Sequence, residues 1–109
     1  MSDISISDMM RMQKALYEVN KDRWSPHEAK FGRDSILWMI DEIGEAIAII
    51  KKQGDERIMN DPEVRAHFVE EMTDVMMYLH DALLCYNVSA QEFSDAYIQK
   101  HERNLTRWR

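Results

Sequence analysis

The chain has few of the residues that interrupt helices or cross-link a fold. Its 109 residues include only three glycines and two prolines, too few for a turn-rich β fold and typical of long helices. Cys85 is the single cysteine, so no intramolecular disulfide can form and a reducing compartment is favoured. No N-terminal stretch has a signal-peptide layout, and no apolar run could span a bilayer. These absences predict a cytoplasmic protein without membrane association.

Positive charge is scarce as well. Lys and Arg number 14 against 20 Asp and Glu, which gives a formal net charge of −6 and a pI near 5.1. A broad nucleic-acid surface needs clustered cations, so nucleic acid is not an expected partner. A small phosphorylated ligand stays compatible, because metal ions can bridge carboxylates and phosphates.

Apolar periodicity predicts a single all-α domain over residues 1–109, with a four-helix bundle-like protomer and residues 1–6 as a loose lead-in. Cap and stop residues set the helix limits. The predicted helices run from Ser7 or Asp8 to about Lys21, from Asp34 to Gln53, from Asp61-Pro62 to about Tyr86, and from Ser89-Ala-Gln-Glu92 onward, with loops over 22–33 and 54–61. The predicted buried seam of the first helix is Met9, Met12, Leu16 and Val19.

The second helix is apolar around most of its circumference. One face carries Ile36, Ile40, Ile43, Ile47 and Ile50. A helix of this kind belongs in the middle of a structure, and four helices of this size provide too few surroundings for it. The pattern therefore predicts assembly through helix packing into a homodimer or homotetramer.

Two acidic pairs interrupt these apolar patterns. Glu42 and Glu45 share one face of the second helix, and Glu71 and Asp74 share one face of the third. An isolated pair usually forms a solvated surface, but apolar neighbours and repetition on a helix that can pack antiparallel favour a metal site. Four carboxylates favour Mg²⁺, with Mn²⁺ possible in its place, over Zn²⁺. A di-iron site normally includes Glu-x-x-His pairs, which the sequence lacks.

The last helix changes from apolar to cationic along one stripe. Phe93, Ala96 and Tyr97 begin the stripe, and the residues that continue it are Lys100, Asn104 and Arg107. Cations near a helix C-terminus interact favourably with the helix dipole. The same groups can also contact phosphate.

Together these motifs resemble the MazG-like all-α nucleoside triphosphate pyrophosphohydrolases, a superfamily that includes dimeric dUTPases, dCTP pyrophosphatases and phosphoribosyl-ATP pyrophosphatases. The matching segments are Asp41-Glu42-Ile-Gly-Glu45, Glu70-Glu71-Met-Thr-Asp74-Val and Lys100-x-x-x-Asn104-x-x-Arg107-Trp108. The resemblance covers roughly residues 34–108.

The resemblance implies Mg²⁺-dependent cleavage of a nucleoside triphosphate between its α- and β-phosphates, in nucleotide-pool housecleaning. It assigns Glu42, Glu45, Glu71 and Asp74 to one or more Mg²⁺ ions. One of these carboxylates could instead serve as the general base for the attacking water, and Glu45 is the favoured candidate. It assigns Lys100, Asn104 and Arg107 to the substrate phosphates.

Trp38, Tyr78 and Trp24 are candidate nucleoside contacts, although core packing explains aromatic residues equally well. His67 is more simply a polar neighbour of Glu71. Two alternatives stay open: a dUTP- or dCTP-specific diphosphatase of the same superfamily, and a non-catalytic helical dimer that binds nucleotide.

Overall fold

Helices make up most of residues 2–108, the part of the chain that the computed structural model describes. The elements are α1 Ile6–Asn20, a 3-10 turn Ala29–Phe31, α2 Gly32–Gln53, α3 Asp55–Asn60, α4 Pro62–Cys85 and α5 Ala90–Arg107. No strand occurs within residues 2–108, so the all-α prediction is confirmed. None of the described helices is both long enough and apolar enough to cross a bilayer. Met1, part of the predicted lead-in, lies outside the described residues.

The first two helices begin earlier than predicted. Ser5 Oγ accepts a hydrogen bond from the Asp8 amide at 3.0 Å, and Asp8 Oδ2 accepts one from the Ser5 amide at 3.1 Å. This reciprocal capping box makes Ser5 the cap, which corrects the prediction of Ser7 or Asp8. Helix α2 begins at Gly32 instead of Asp34, because the 3-10 turn leads directly into it.

The caps of α4 and α5 are those that the sequence predicts. Asp61 Oδ1 accepts hydrogen bonds from the amides of Glu63 and Val64 at 3.0 and 3.3 Å. Ser89 Oγ accepts one from the Glu92 amide at 3.0 Å. Each cap satisfies amide groups that have no partner inside their own helix.

The connection between α2 and α4 is helical, which corrects the predicted loop over 54–61 and gives five α-helices within the described residues. Gly54, with φ 84° and ψ 157°, separates α2 from α3 in a conformation open to glycine. Within α3, the Arg57 guanidinium bonds one turn back to Gln53 and one turn forward to Asp61. Polar residues suggested a solvated loop, but such pairs one turn apart stabilise a helix.

Helices α2 and α4 form the central pair of the fold. They are in contact over much of their length, and α1 packs against α4. Because a short connection joins them, α2 and α4 run antiparallel. Their middle turns therefore face each other, and these turns carry the two acidic pairs. Helix α5 contacts only α1 among the described helices.

Few apolar side chains are buried in one copy of the chain. The buried set is Met10, Ala46, Ile49, Val64, Ala82, Leu84 and Cys85. The predicted seam of α1 is wrong, because Met12 and Val19 are 57% and 84% exposed. The buried side of α1 instead carries Met10 and Gln13. Periodicity identifies an apolar face, but it does not say whether the same chain covers that face.

The isoleucine stripe of α2, formed by Ile36, Ile40, Ile43, Ile47 and Ile50, is also uncovered. Its members are between 39% and 55% exposed. The accessible surface of the chain is 8624 Å², against about 6,300 Å² expected for a monomer of 13.0 kDa. The radius of gyration is 16.3 Å, against about 13 Å for a compact domain of this length.

His80 on α4 is a buried group without a hydrogen-bond partner. Its relative exposure is 2%, and neither ring nitrogen has a partner among the described residues. Desolvation by burial lowers its pKa, and the nearby Asp81 charge opposes this only in part. The neutral imidazole is therefore favoured in the folded chain.

We expect His80→Leu to stabilise the protein increasingly as the pH falls. The folded pKa of His80 lies below its unfolded value of 6.5. Protonation of His80 therefore lowers the free energy of unfolding as the pH falls from 6.5 through the folded pKa, and it has no such effect above pH 6.5. Thermal melts at pH 7.5 and 5.5 test this. The difference in Tm between His80→Leu and the parent should grow by a few degrees at the lower pH. A constant difference would contradict it.

Candidate metal centre and adjoining cavity

Helices α2 and α4 bring together three of the four predicted acidic ligands. Glu42, Glu71 and Asp74 each offer a carboxylate oxygen, and these oxygens all lie within 4.8 Å of one another. All three residues are half-buried. Glu71 Oε2 is buried without a partner among residues 2–108, and Glu71 Oε1 lies 3.4 Å from His67 Nε2. We call Glu42, Glu71 and Asp74 the carboxylate cluster.

Like charges and burial raise the pKa values inside the carboxylate cluster. The pKa of Glu42 rises to about 7, first through its close approach to the Glu71 carboxyl, then through desolvation and through the charges of Asp74, Glu71 and Glu45. Burial, Glu71 and Glu70 raise the pKa of Asp74. Burial and mutual repulsion therefore both disfavour the ionised carboxylates of the cluster.

Glu45 lies outside the carboxylate cluster. It follows Glu42 by one turn of α2, and its side chain is exposed. Its charge still reaches Glu42, since it contributes to the raised pKa of that carboxyl. Of the acidic quartet, the structure thus groups three residues tightly and leaves the fourth at the edge.

The predicted phosphate-contacting residues lie away from the carboxylate cluster of their own chain. Lys100, Asn104 and Arg107 are exposed on α5, which contacts α1 and neither α2 nor α4. None of the three lines the cavity described below. The sequence pattern places them on one helix stripe, but it does not fix where that helix packs.

The carboxylate cluster has the chemistry of a site for a hard divalent cation. It offers only oxygen ligands, which suits Mg²⁺ or Mn²⁺. Its buried, unpartnered Glu71 oxygen and its mutually repelling carboxylates are both features that a bound cation relieves.

We expect Mg²⁺ to bind more weakly as the pH falls below 7. A cation must displace the proton that Glu42 holds with a pKa of about 7. Because Glu42 is already half protonated at pH 7, affinity should fall about fivefold from pH 7 to pH 6. Calorimetric titration of MgCl₂ at pH 6, 7 and 8 measures the dependence. In Glu42→Gln the steep pH dependence should be lost along with most of the affinity, and an unchanged Kd across this range in the parent would contradict the prediction.

A cavity of about 550 Å³ opens beside the carboxylate cluster. Glu42 and Asp74 form part of its wall, and the three aromatic residues predicted as nucleoside contacts, Trp24, Trp38 and Tyr78, all line it. The loop over 22–33 thus reaches the same space as α2 and α4. A volume of this size suits a small organic ligand.

The far part of the cavity is polar, which sequence reasoning missed. Asp81 Oδ1 accepts a hydrogen bond from Gln13 Nε2 at 3.0 Å and another from His27 Nε2 at 2.8 Å. The His27 ring lies against Tyr17, with 5.1 Å between ring centroids. Gln13 is only 5% exposed. Gln13 lies outside the predicted apolar seam of α1, so the sequence pattern gave no signal for it.

No protein-family model, curated protein or solved structure matches the chain. Function must therefore be inferred from the carboxylate cluster, the cavity and their chemistry.

Proposed function

We propose that the chain is a Mg²⁺-dependent nucleotide pyrophosphohydrolase of the MazG-like kind. It would cleave a nucleoside or deoxynucleoside triphosphate between the α- and β-phosphates and release the monophosphate and pyrophosphate. One observation carries the proposal: a carboxylate cluster with a buried, unpartnered oxygen opens directly onto an aromatic-lined cavity. The acidic end of the cavity would bind the metal-bound phosphates, and the aromatic end of the cavity would bind the nucleoside.

Glu42, Glu71 and Asp74 are the residues that would hold the ion. Mg²⁺ bound there would neutralise phosphate charge and lower the pKa of an attacking water, with Mn²⁺ as a substitute. The two helices hold the carboxylates close together before any ligand arrives, so little reorganisation accompanies binding.

Glu45 is our candidate for the general base. It is exposed and stands outside the carboxylate cluster, so its oxygens are free to accept a proton from a water. It is also one turn from Glu42, near enough to affect that carboxyl's pKa. A base in this position would act at the edge of the metal site without also coordinating the metal.

The nucleoside would occupy the cavity. Trp38 and Trp24 offer aromatic faces for stacking, and Tyr78 stands one turn beyond Asp74 on α4. Burial and the neighbouring acidic groups raise the pKa of Tyr78, so its hydroxyl stays protonated as a donor.

We infer that the working form is a homodimer or a pair of dimers. The surface in excess of a monomer's is about 2,300 Å² per chain, or about 4,600 Å² for two copies, within the range that obligate dimers bury in total. Any contact of Lys100, Asn104 or Arg107 with the phosphates would come from a second copy, because α5 is remote from its own cluster. The single Cys85, free and buried, suits the cytoplasm.

The decisive experiment incubates purified protein with all common NTPs and dNTPs plus Mg²⁺ and measures pyrophosphate. We expect pyrophosphate and the matching monophosphate from at least one nucleotide, and no release in EDTA. Release of orthophosphate alone would indicate a different cleavage. Nucleotide binding by calorimetry with no pyrophosphate release from any nucleotide would instead support the non-catalytic binder.

A further inference from the structure

Asp81 combines a fixed position with an unused hydrogen-bonding oxygen. Both of its hydrogen bonds end on Oδ1, from Gln13 and from His27. No donor from residues 2–108 reaches Oδ2. The side chain is 17% exposed, and it lines the cavity. A carboxylate held in this way presents one oriented acceptor to whatever fills the space.

The position of Asp81 matches the nucleobase end of a bound nucleotide. Asp74, Tyr78 and Asp81 follow one face of α4, and all three line the cavity. From Asp74 to Asp81 the helix rises about 10 Å. A nucleotide whose α-phosphate lies at the carboxylate cluster would extend its sugar past Tyr78 and its base toward Asp81.

We propose that Asp81 selects the base, and that the cavity prefers bases with an exocyclic amino group to bases with a carbonyl in that place. This inference rests on the proposed function, because that function places a nucleotide in the cavity. A carboxylate only accepts hydrogen bonds. It pairs with the N4 amino group of cytosine, whereas O4 of uracil is an acceptor as well.

Gln13 and His27 act as positioning residues in this proposal. Their two donors occupy Oδ1, so the carboxylate cannot turn Oδ1 toward the base. Tyr17 holds the His27 ring from the other side. The cavity would reject uracil because O4 of uracil would face Asp81 Oδ2. Both atoms are hydrogen-bond acceptors, so neither would have a donor.

Asp81→Asn inverts the polarity at this one position. The amide oxygen of the variant can still accept both bonds from Gln13 and His27, and its NH₂ group replaces Oδ2. The free atom changes from an acceptor to a donor with almost no change in shape. The variant should therefore favour uracil, whose O4 accepts, over cytosine.

The test is calorimetric binding of dCMP and dUMP, which requires no hydrolysis. The parent should bind dCMP at least about tenfold more tightly than dUMP. Asp81→Asn should reverse the order, and Asp81→Ala should bring the ratio near one. Asp3→Asn, an exposed carboxylate-to-amide change before α1, should leave the ratio unchanged. Circular dichroism melts verify that each variant is folded.

Equal affinities in the parent, or the same ratio in Asp81→Asn, would overturn the assignment whether or not any triphosphate is hydrolysed. Failure of both monophosphates to bind would overturn it too. If dCMP binds preferentially but no triphosphate yields pyrophosphate, the base assignment stands and the pyrophosphohydrolase proposal fails instead.

Discussion

Glu71→Gln should abolish nearly all turnover. Glu71 supplies a buried oxygen that has no partner within the described chain, and its carboxyl is the largest influence on the pKa of Glu42. The amide keeps the shape and removes the charge, so the affinity for Mg²⁺ should fall sharply. We expect kcat/KM for the best nucleotide to fall by about 10²–10³-fold, measured as pyrophosphate release across a range of Mg²⁺ concentrations.

Glu70→Gln is the matched control for this change. Glu70 is the preceding residue on α4, is exposed, and is not in the carboxylate cluster. Removing its charge relieves one of the influences that raise the pKa of Asp74, so only a small change in turnover is expected. Comparable losses in both variants, or full activity in Glu71→Gln, would contradict the assignment of Glu71 to the metal.

Glu71→Gln should also be more stable than the parent in EDTA at pH 8. In the metal-free parent, the raised pKa of Glu42 means that its ionisation opposes folding above pH 4.5, and this effect is complete above about pH 7. Neutralising Glu71 removes one of the charges that repel Glu42. A higher melting temperature combined with lost activity would distinguish a metal-site effect from simple misfolding.

Local chemistry made some of the fold predictable. Asp61-Pro62 and Ser89 cap helices through bonds to amides only a few residues away, so nearby sequence is enough to find them. The carboxylate cluster was predictable for a related reason: helix periodicity fixes which carboxylates share a face. Their grouping needed only that α2 and α4 pack side by side.

What depended on distant packing was not predictable. The hydrogen bonds from Gln13 and His27 to Asp81 join α1 and the 22–33 loop to α4. No spacing rule in the sequence connects Gln13 to Asp81. The separation of Lys100 and Arg107 from the carboxylate cluster has the same origin. A stripe of cations identifies one face of a helix, whereas the surface against which that face packs depends on tertiary and quaternary contacts.

Ile40→Glu combined with Ile47→Glu should convert a dimer into monomers. The two residues are 55% and 48% exposed in one copy and belong to the isoleucine stripe. Because each isoleucine is already about half covered, burying the rest contributes about 0.8–1.5 kcal/mol, and a twofold interface loses each contact twice. The dimer Kd should rise by at least about 10²-fold, and light scattering should change from twice 13.0 kDa to 13.0 kDa.

Ile4→Glu is the control, because Ile4 is 50% exposed but precedes α1 and lies outside the isoleucine stripe. It should leave the mass of the dimer unchanged. A parent protein that scatters as a 13.0 kDa monomer at micromolar concentration would contradict the assembly outright.

If Lys100 and Arg107 reach the phosphates from a second copy, turnover should fall in parallel with dissociation and recover at protein concentrations that restore the dimer. If the monomers kept full turnover, a single chain would bind the triphosphate without Lys100 and Arg107 of a second copy, and this prediction would be contradicted.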